Sequence, residues 1–158
     1  MNRNQRGALA PDVATPEMAR LVRGGADMQA EQGSVYASGI SAETVGSAAL
    51  WLGMITLPAG RRTTTHLHAG HETALYMVTG QEVDVLSGNE LQYRDVVRPG
   101  DYLFIPGGVP HVAENRTGTA AVFMGARTDP NANESVVLLP DLDARYLEMR
   151  NQIAETPR

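Results

Sequence analysis

Cysteine is absent from all 158 residues, which removes disulfides, iron–sulfur clusters, thiol nucleophiles and Cys-rich zinc sites. Any metal must sit on nitrogen and oxygen ligands. An excess of positive charge is missing too: 13 Lys and Arg stand against 18 Asp and Glu, a formal net charge of -5. No basic surface is left to hold nucleic-acid phosphates or an anionic membrane, so a small molecule or a protein is the expected partner. Long apolar runs are lacking as well. The longest, Ala48 to Ile55, is far short of the ~20 residues that span a bilayer. The first residues are polar and contain no signal-peptide core, so the expected location is the cytoplasm. What is present suffices for one domain: 42% of the residues are hydrophobic, enough to close a single core.

Three regions follow along the chain. Residues 1–33 are rich in Ala, Gly, Arg and Gln with weak periodicity and read as an N-terminal arm, with at most a short helix around Pro16 to Arg23. Residues 34–140 alternate short β-branched, aliphatic and aromatic segments with Gly, Pro and Asn, the pattern of an all-β barrel or sandwich. The expected strands are Val35 to Ile40, Ala48 to Leu57, Thr63 to His68, Ala74 to Val78, Glu82 to Leu86, Leu91 to Arg94, Asp101 to Ile105, His111 to Glu114, Ala120 to Ala126 and Ser135 to Leu139. Gly88-Asn89 signals a hairpin, because both residues tolerate positive φ. Residues 141–158 change period: Leu142, Tyr146, Met149 and Ile153 recur at helical spacing behind Asp141, which is placed to cap the start.

Of four histidines, three crowd into His66-Leu67-His68-Ala69-Gly70-His71-Glu72. Residues two apart on a strand point to one face, so His66 and His68 present two imidazoles from backbone positions ~7 Å apart, a spacing that suits two ligands of one ion. The alternative is a pair of solvent-facing strand histidines, and the context decides between the two. Gly60 is followed by five residues, the His66-Leu67-His68 unit, three more residues and Glu72. Further on, Gly100, Pro106, Gly108, His111 and Asn115 form a second spaced set.

These two sets resemble the paired sequence motifs of the cupins. They cover Gly60 to Asn115, about a third of the chain. The stretches His71 to Gly80 and Ala126 to Asn131 are similar to ones in small single-domain bacterial cupins of undefined function. The resemblance implies a double-stranded β-helix, a jelly-roll barrel here carrying an N-terminal arm and a C-terminal helix. It also implies one divalent metal ion held by His66, His68, a carboxylate and His111. Fe, Ni, Mn and Zn all suit imidazole with carboxylate. The first motif departs in one place: seven residues, not the usual six, separate Glu72 from Gly80. In a regular strand Thr73 then takes the inward position, His71 shares its parity, and Glu72 faces away. A bend at Ala69-Gly70 would turn Glu72 inward as the further ligand, which is the expectation adopted.

The implied function is that of a metal-dependent enzyme working on a small organic substrate by dioxygenation or isomerisation. The alternative is a non-enzymatic cupin that binds or senses a small molecule around a structural metal. No Ser–His–Asp order and no thiol offers a covalent nucleophile, so His71 is the expected proton-transfer residue if Glu72 ligates. Asn115 and Asp101 are expected to satisfy backbone groups, and Trp51, Met54, Tyr76, Met77, Tyr102 and Phe104 to be core. Barrel edges need covers, and the arm and the helix could be exchanged between subunits, so a homodimer is expected.

Overall fold

The computed structural model describes residues 18–131 and 135–155, with side chains of the final helix described as far as residue 151. Strands dominate because the alternation seen in the sequence is carried into burial. In the strand Trp51–Leu57 every odd-numbered residue is buried, and in Ala121–Arg127 the same parity holds. Eleven strands are described: β1 Asp27–Gln29, β2 Val35–Ile40, β3 Trp51–Leu57, β4 His66–His68, β5 Thr73–Thr79, β6 Val83–Ser87, β7 Tyr93–Val97, β8 Tyr102–Ile105, β9 His111–Glu114, β10 Ala121–Arg127 and β11 Val136–Leu138. Two helices complete the set, α1 Ala42–Val45 and α2 Pro140–Glu155. None of the described helices is long and apolar enough to cross a membrane.

The strands form two antiparallel sheets, one ordered β1-β2-β3-β10-β5-β8 and the other β11-β4-β9-β6-β7. Their inner faces meet in one core. Tyr36, Trp51, Ile55, Leu57, Met77 and Phe123 from the first pack on Val83, Val85 and Val97 from the second. The outer face of the second sheet is covered by α2: Leu86 and Val112, one residue out of phase with inward Val85 and Ala113, pack with Tyr146, Leu142, Leu147 and Met149. The all-β architecture and the C-terminal helix are therefore as the sequence implied.

Several details differ from the sequence reading. No helix forms in residues 18–26, which run irregularly into β1; Pro16 and Glu17 lie outside the described residues. The last part of the arm instead joins the barrel, because β1 pairs with β2 around a turn in which Gly33 N–H donates to Ala30 C=O at 3.0 Å and Gln32 sits at the tip. The turn α1 escaped a search for alternation. It is made by a capping box in which Ser41 Oγ accepts from Thr44 N and Thr44 Oγ1 accepts from Ser41 N. Helix α2 begins at Pro140, so Asp141 lies within the first turn; proline suits that position because its missing N–H would be unpaired there anyway. Tyr76 is exposed and Met54 only half-buried, and Tyr102 and Phe104 are not core either. They are 83% and 58% exposed, since β8 ends its sheet and points Leu103 and Ile105 inward.

Candidate metal centre

His66 and His68 come from β4, where Leu67 takes the opposite face and both histidines are buried. His111 opens β9, and the one register pair between the two strands is His66 with His111. The segment Pro106-Gly107-Gly108 sets this alignment: Gly108, at φ 76, donates its N–H to His68 C=O at 2.8 Å. A side chain there would be strained, which is why glycine serves. The three histidines thus converge, with one ring nitrogen from each lying within 4.8 Å of the others. Their ring centroids are 4.3 to 5.3 Å apart.

Tautomers follow from the partners. His66 Nδ1 lies 2.7 Å from Thr64 C=O, and His111 Nδ1 lies 2.9 Å from Val109 C=O. A carbonyl only accepts, so each Nδ1 carries the hydrogen and each Nε2 keeps a lone pair. Burial drives the His66 pKa down to about 3, helped by neighbouring His111, and that of His111 to about 4. For His68, burial and then the charge of Arg127 lower it to about 2. All three are neutral at pH 7, as metal ligation requires. Three neutral imidazoles in a buried, convergent group fit a borderline divalent ion.

Glu72 is outside this group. Gly70, at φ 87, makes the turn that follows β4, but the chain does not bend Glu72 inward: it is exposed, and its backbone N–H donates to Thr128 Oγ1 at 3.0 Å. Thr73 holds the inward position, 3% exposed, as a regular β5 register requires. The carboxylate expected among the ligands is therefore turned away, and no described Asp or Glu lines the central cavity. His71 is buried against His68, ring centroids 4.7 Å apart, and is not part of the cavity wall. Its Nδ1 lies 2.7 Å from Ser135 Oγ and 3.6 Å from Asp129 Oδ2. Burial and the charge of Arg127 lower its pKa against the pull of Asp129.

The histidines border a cavity of about 70 Å³ between the sheets. Aliphatic residues and Phe123 make up the apolar part of its wall, and Gln32, Ser34, Tyr36, Thr63, Thr73 and Arg127 also line it. Arg127 Nη2 donates to Tyr36 OH at 2.6 Å, and the guanidinium lies 4.7 and 4.8 Å from the ring centroids of Tyr36 and Trp51. The Gln32 amide is hydrogen-bonded to the same phenol oxygen. Sequence reasoning missed Gln32, Tyr36 and Arg127. For Arg127 a signal existed: it shares the inward parity of Phe123 and Gly125 at the end of β10.

Residues 53–126 match the sequence model of the family described as Cupin domain. No curated protein matches the chain. Among solved structures, a double-stranded β-helix protein from Klebsiella pneumoniae superposes with a TM-score of 0.55 at 14% identity, over 70% of this chain and 88% of that one. A recombinant oxalate oxidase in complex with glycolate gives 0.61 at 17% identity, over 89% and 73%. The oxalate decarboxylase of Bacillus subtilis gives 0.58 at 17% identity over 72% of this chain, which spans only 30% of that longer one. The Cupin domain match, residues 53–126, runs over the strands that bring the three histidines together, and the fold around them is the double-stranded β-helix of the Klebsiella pneumoniae protein.

Proposed function

We propose that the protein is a metal-dependent enzyme that holds one divalent ion, of Fe, Ni, Mn or Zn, on Nε2 of His66, His68 and His111, and acts on a small organic substrate by dioxygenation or isomerisation. The observation that carries this reading is the convergence of three buried ring nitrogens within 4.8 Å, two of the rings being anchored through Nδ1 on backbone carbonyls. An ion there supplies Lewis-acid polarisation of a bound oxygen, or a dioxygen site where the metal is redox-active. The chain's own residues do the rest. Aliphatic walls exclude water from the cavity and so strengthen every polar contact made inside it. His71, behind His68 and outside the cavity wall, orients that ligand; the proton-transfer role assigned to it from sequence does not suit its position. A neighbour of the same fold, the Bacillus subtilis oxalate decarboxylase, has Mn(II) centres, which supports a metal role for this type of barrel.

The test is elemental analysis of protein purified without added metal, then after supply of each ion. About one ion per chain is expected, and His68→Ala or His111→Ala should remove most of it. Oxygen uptake on a panel of small acids, diketones and phenols separates dioxygenation from isomerisation. No bound metal at stoichiometric supply, with no change in melting, would sink the reading.

A further inference from the structure

Two polar atoms on the cavity wall are buried and unpaired. Gln32 and Thr73 are 2% and 3% exposed, and Gln32 Oε1 and Thr73 Oγ1 have no hydrogen-bond partner among the described residues. Neighbouring polar groups are engaged. Thr63 Oγ1 accepts from Ala113 N at 2.9 Å, Tyr36 OH accepts from Gln32 Nε2 and from Arg127 Nη2, and Arg127 lies over the rings of Tyr36 and Trp51. Both unpaired groups are also fixed in place. Gln32 occupies the β1–β2 tip, where its backbone carbonyl accepts from Thr64 N at 2.7 Å, and Thr73 is held in register between Ile105 and Arg127. A buried polar atom left unpaired costs stability, so two of them retained on one cavity call for an occupant.

Their chemistry narrows what that occupant is. Gln32 Oε1 only accepts, so its partner brings an O–H or N–H, whereas the Thr73 hydroxyl donates as well as accepts. Both groups are neutral, and Leu75, Val85 and Leu103 beside them are aliphatic. An ion entering there would lose more hydration than two neutral hydrogen bonds return. A hydroxyl is neutral, and it donates and accepts from one atom. The cavity of about 70 Å³ is less than half of the ~150 Å³ that accommodates the six carbons of benzene, which leaves room for about three heavy atoms. We propose that the cavity takes a small neutral alcohol, received through its hydroxyl by Gln32 Oε1 and Thr73 Oγ1, with its carbons against the aliphatic wall. This names a substrate class for the proposed function and rests on the metal-site reading for the chemistry that follows binding, but the recognition belongs to the wall itself.

The experiment is an NMR titration of isotope-labelled protein, zinc-loaded and metal-free, read at the Gln32 side-chain amide and the Thr73 backbone amide. The probes are ethanol, its isomer dimethyl ether, which accepts but cannot donate, and acetate, which is charged. So few atoms set a ceiling near 1 mM, and ethanol is expected to bind with a dissociation constant of roughly 1 to 10 mM. Dimethyl ether should bind about five- to tenfold more weakly, the effect of one hydrogen bond, and acetate should bind the metal-free protein more weakly than ethanol does. Gln32→Leu, close in volume, and Thr73→Val, of the same shape without the hydroxyl, should each weaken ethanol binding about five- to tenfold while zinc stays at one per chain. Ether binding as tightly as ethanol overturns the proposal, as does acetate binding the metal-free protein more tightly than ethanol, or ethanol affinity unchanged in Gln32→Leu. So does the absence of any response at both residues up to about 100 mM ethanol, which would leave water as the occupant. If Thr73→Val fails to fold, Gln32→Leu and the ethanol–ether ratio of the parent decide. A parent that takes up no zinc yet keeps the ethanol preference counts against the metal site and for the alcohol.

Discussion

His66 and His111 each spend one ring nitrogen on a carbonyl two residues upstream, while Nδ1 of His68 is buried with no hydrogen bond among the described residues, its ring packed against His71. His71 is in turn held from behind by Ser135 and Asp129. A ligand whose far nitrogen lacks a direct anchor depends on its neighbour for orientation, and loss of such a neighbour typically costs ~10–100-fold in metal affinity. His71→Gln is therefore expected to weaken zinc binding by roughly 10-fold, while Glu72→Gln, altering an exposed side chain, leaves it unchanged. Competition titration against a chelator checks both; the opposite order would mean that the carboxylate reaches the ion. The histidine pair was legible in the sequence because strand parity alone puts His66 and His68 on one face. For Glu72 the count back from Gly80 already put Thr73 inward and Glu72 away, and the expected bend at Ala69-Gly70 overrode it; what the sequence does not show is that pairing of Thr73 with Ile105 and Arg127, far along the chain, keeps that register. The inward parity of Arg127 could be read from its strand, but its meeting with Gln32 at the Tyr36 hydroxyl could not, because no motif contains both.

At the scale of elements, α2 is fastened to the barrel by two carboxylates, buried Glu114 and half-buried Asp143, as well as by its apolar stripe. Asp143 receives both Arg62 nitrogens, at 2.6 and 2.9 Å, and accepts from Thr65 N–H at 2.8 Å, one residue before His66. Glu114, 3% exposed at the end of β9, is bonded by Tyr146 OH, by Arg116 Nε at 2.8 Å and by Arg150 Nε at 2.6 Å. Burial alone would raise the pKa of both acids. Hydrogen bonds and charges outweigh it: Tyr146, Arg116 and Arg150 hold Glu114 below its ordinary 4.5, and Arg62 and Thr65 hold Asp143 below 3.8. A carboxylate with a depressed folded-state pKa contributes stability that is complete above the unfolded value and lost as pH falls through the folded one. Glu114→Gln should thus cost about 1 to 3 kcal/mol at pH 7, the usual range for lost hydrogen bonds to a charged group, because Arg116 and Arg150 are partly exposed and turn to water when the charge is gone. The gap between parent and variant should narrow below about pH 4.5. Urea unfolding at pH 7, 5 and 3 measures it; a gap independent of pH would mean that Glu114 acts through packing alone. Helical spacing revealed α2 in the sequence, but its fastening joins residues 81 positions apart, Arg62 to Asp143, beyond any local pattern.

At the scale of the molecule, one edge and one seam stand out. The edge is β8, where Tyr102 and Phe104 are exposed and the Tyr102 ring stacks 4.8 Å from that of Tyr76. An antiparallel edge can pair with its own copy about a two-fold axis, and this is where the homodimer expected from sequence would form. Light scattering should give about twice the 17.0 kDa chain mass, falling to one chain mass in Tyr102→Lys; a parent already at one chain mass rejects the dimer. The seam is between β4 and β9, whose one register pair is His66 with His111, so that β4 is otherwise held by β11, by Gly108 N–H on His68 C=O and by the contact of Thr65 with Asp143. An ion on His66, His68 and His111 bridges the two strands where backbone pairing is sparsest, and because it binds the folded site it stabilises the fold by mass action. At a free concentration of 100 times the dissociation constant this amounts to ~2.7 kcal/mol, which for a domain of this size raises the melting temperature by roughly 5 to 10 °C. Hydrogen exchange should slow most at residues 66–68 and 136–138, with little change in β5, whose pairing to β8 and β10 does not involve the site. His68→Ala should abolish both effects. A rise in melting temperature that survives this substitution, or protection spread evenly over both sheets, would place the ion elsewhere on the molecule.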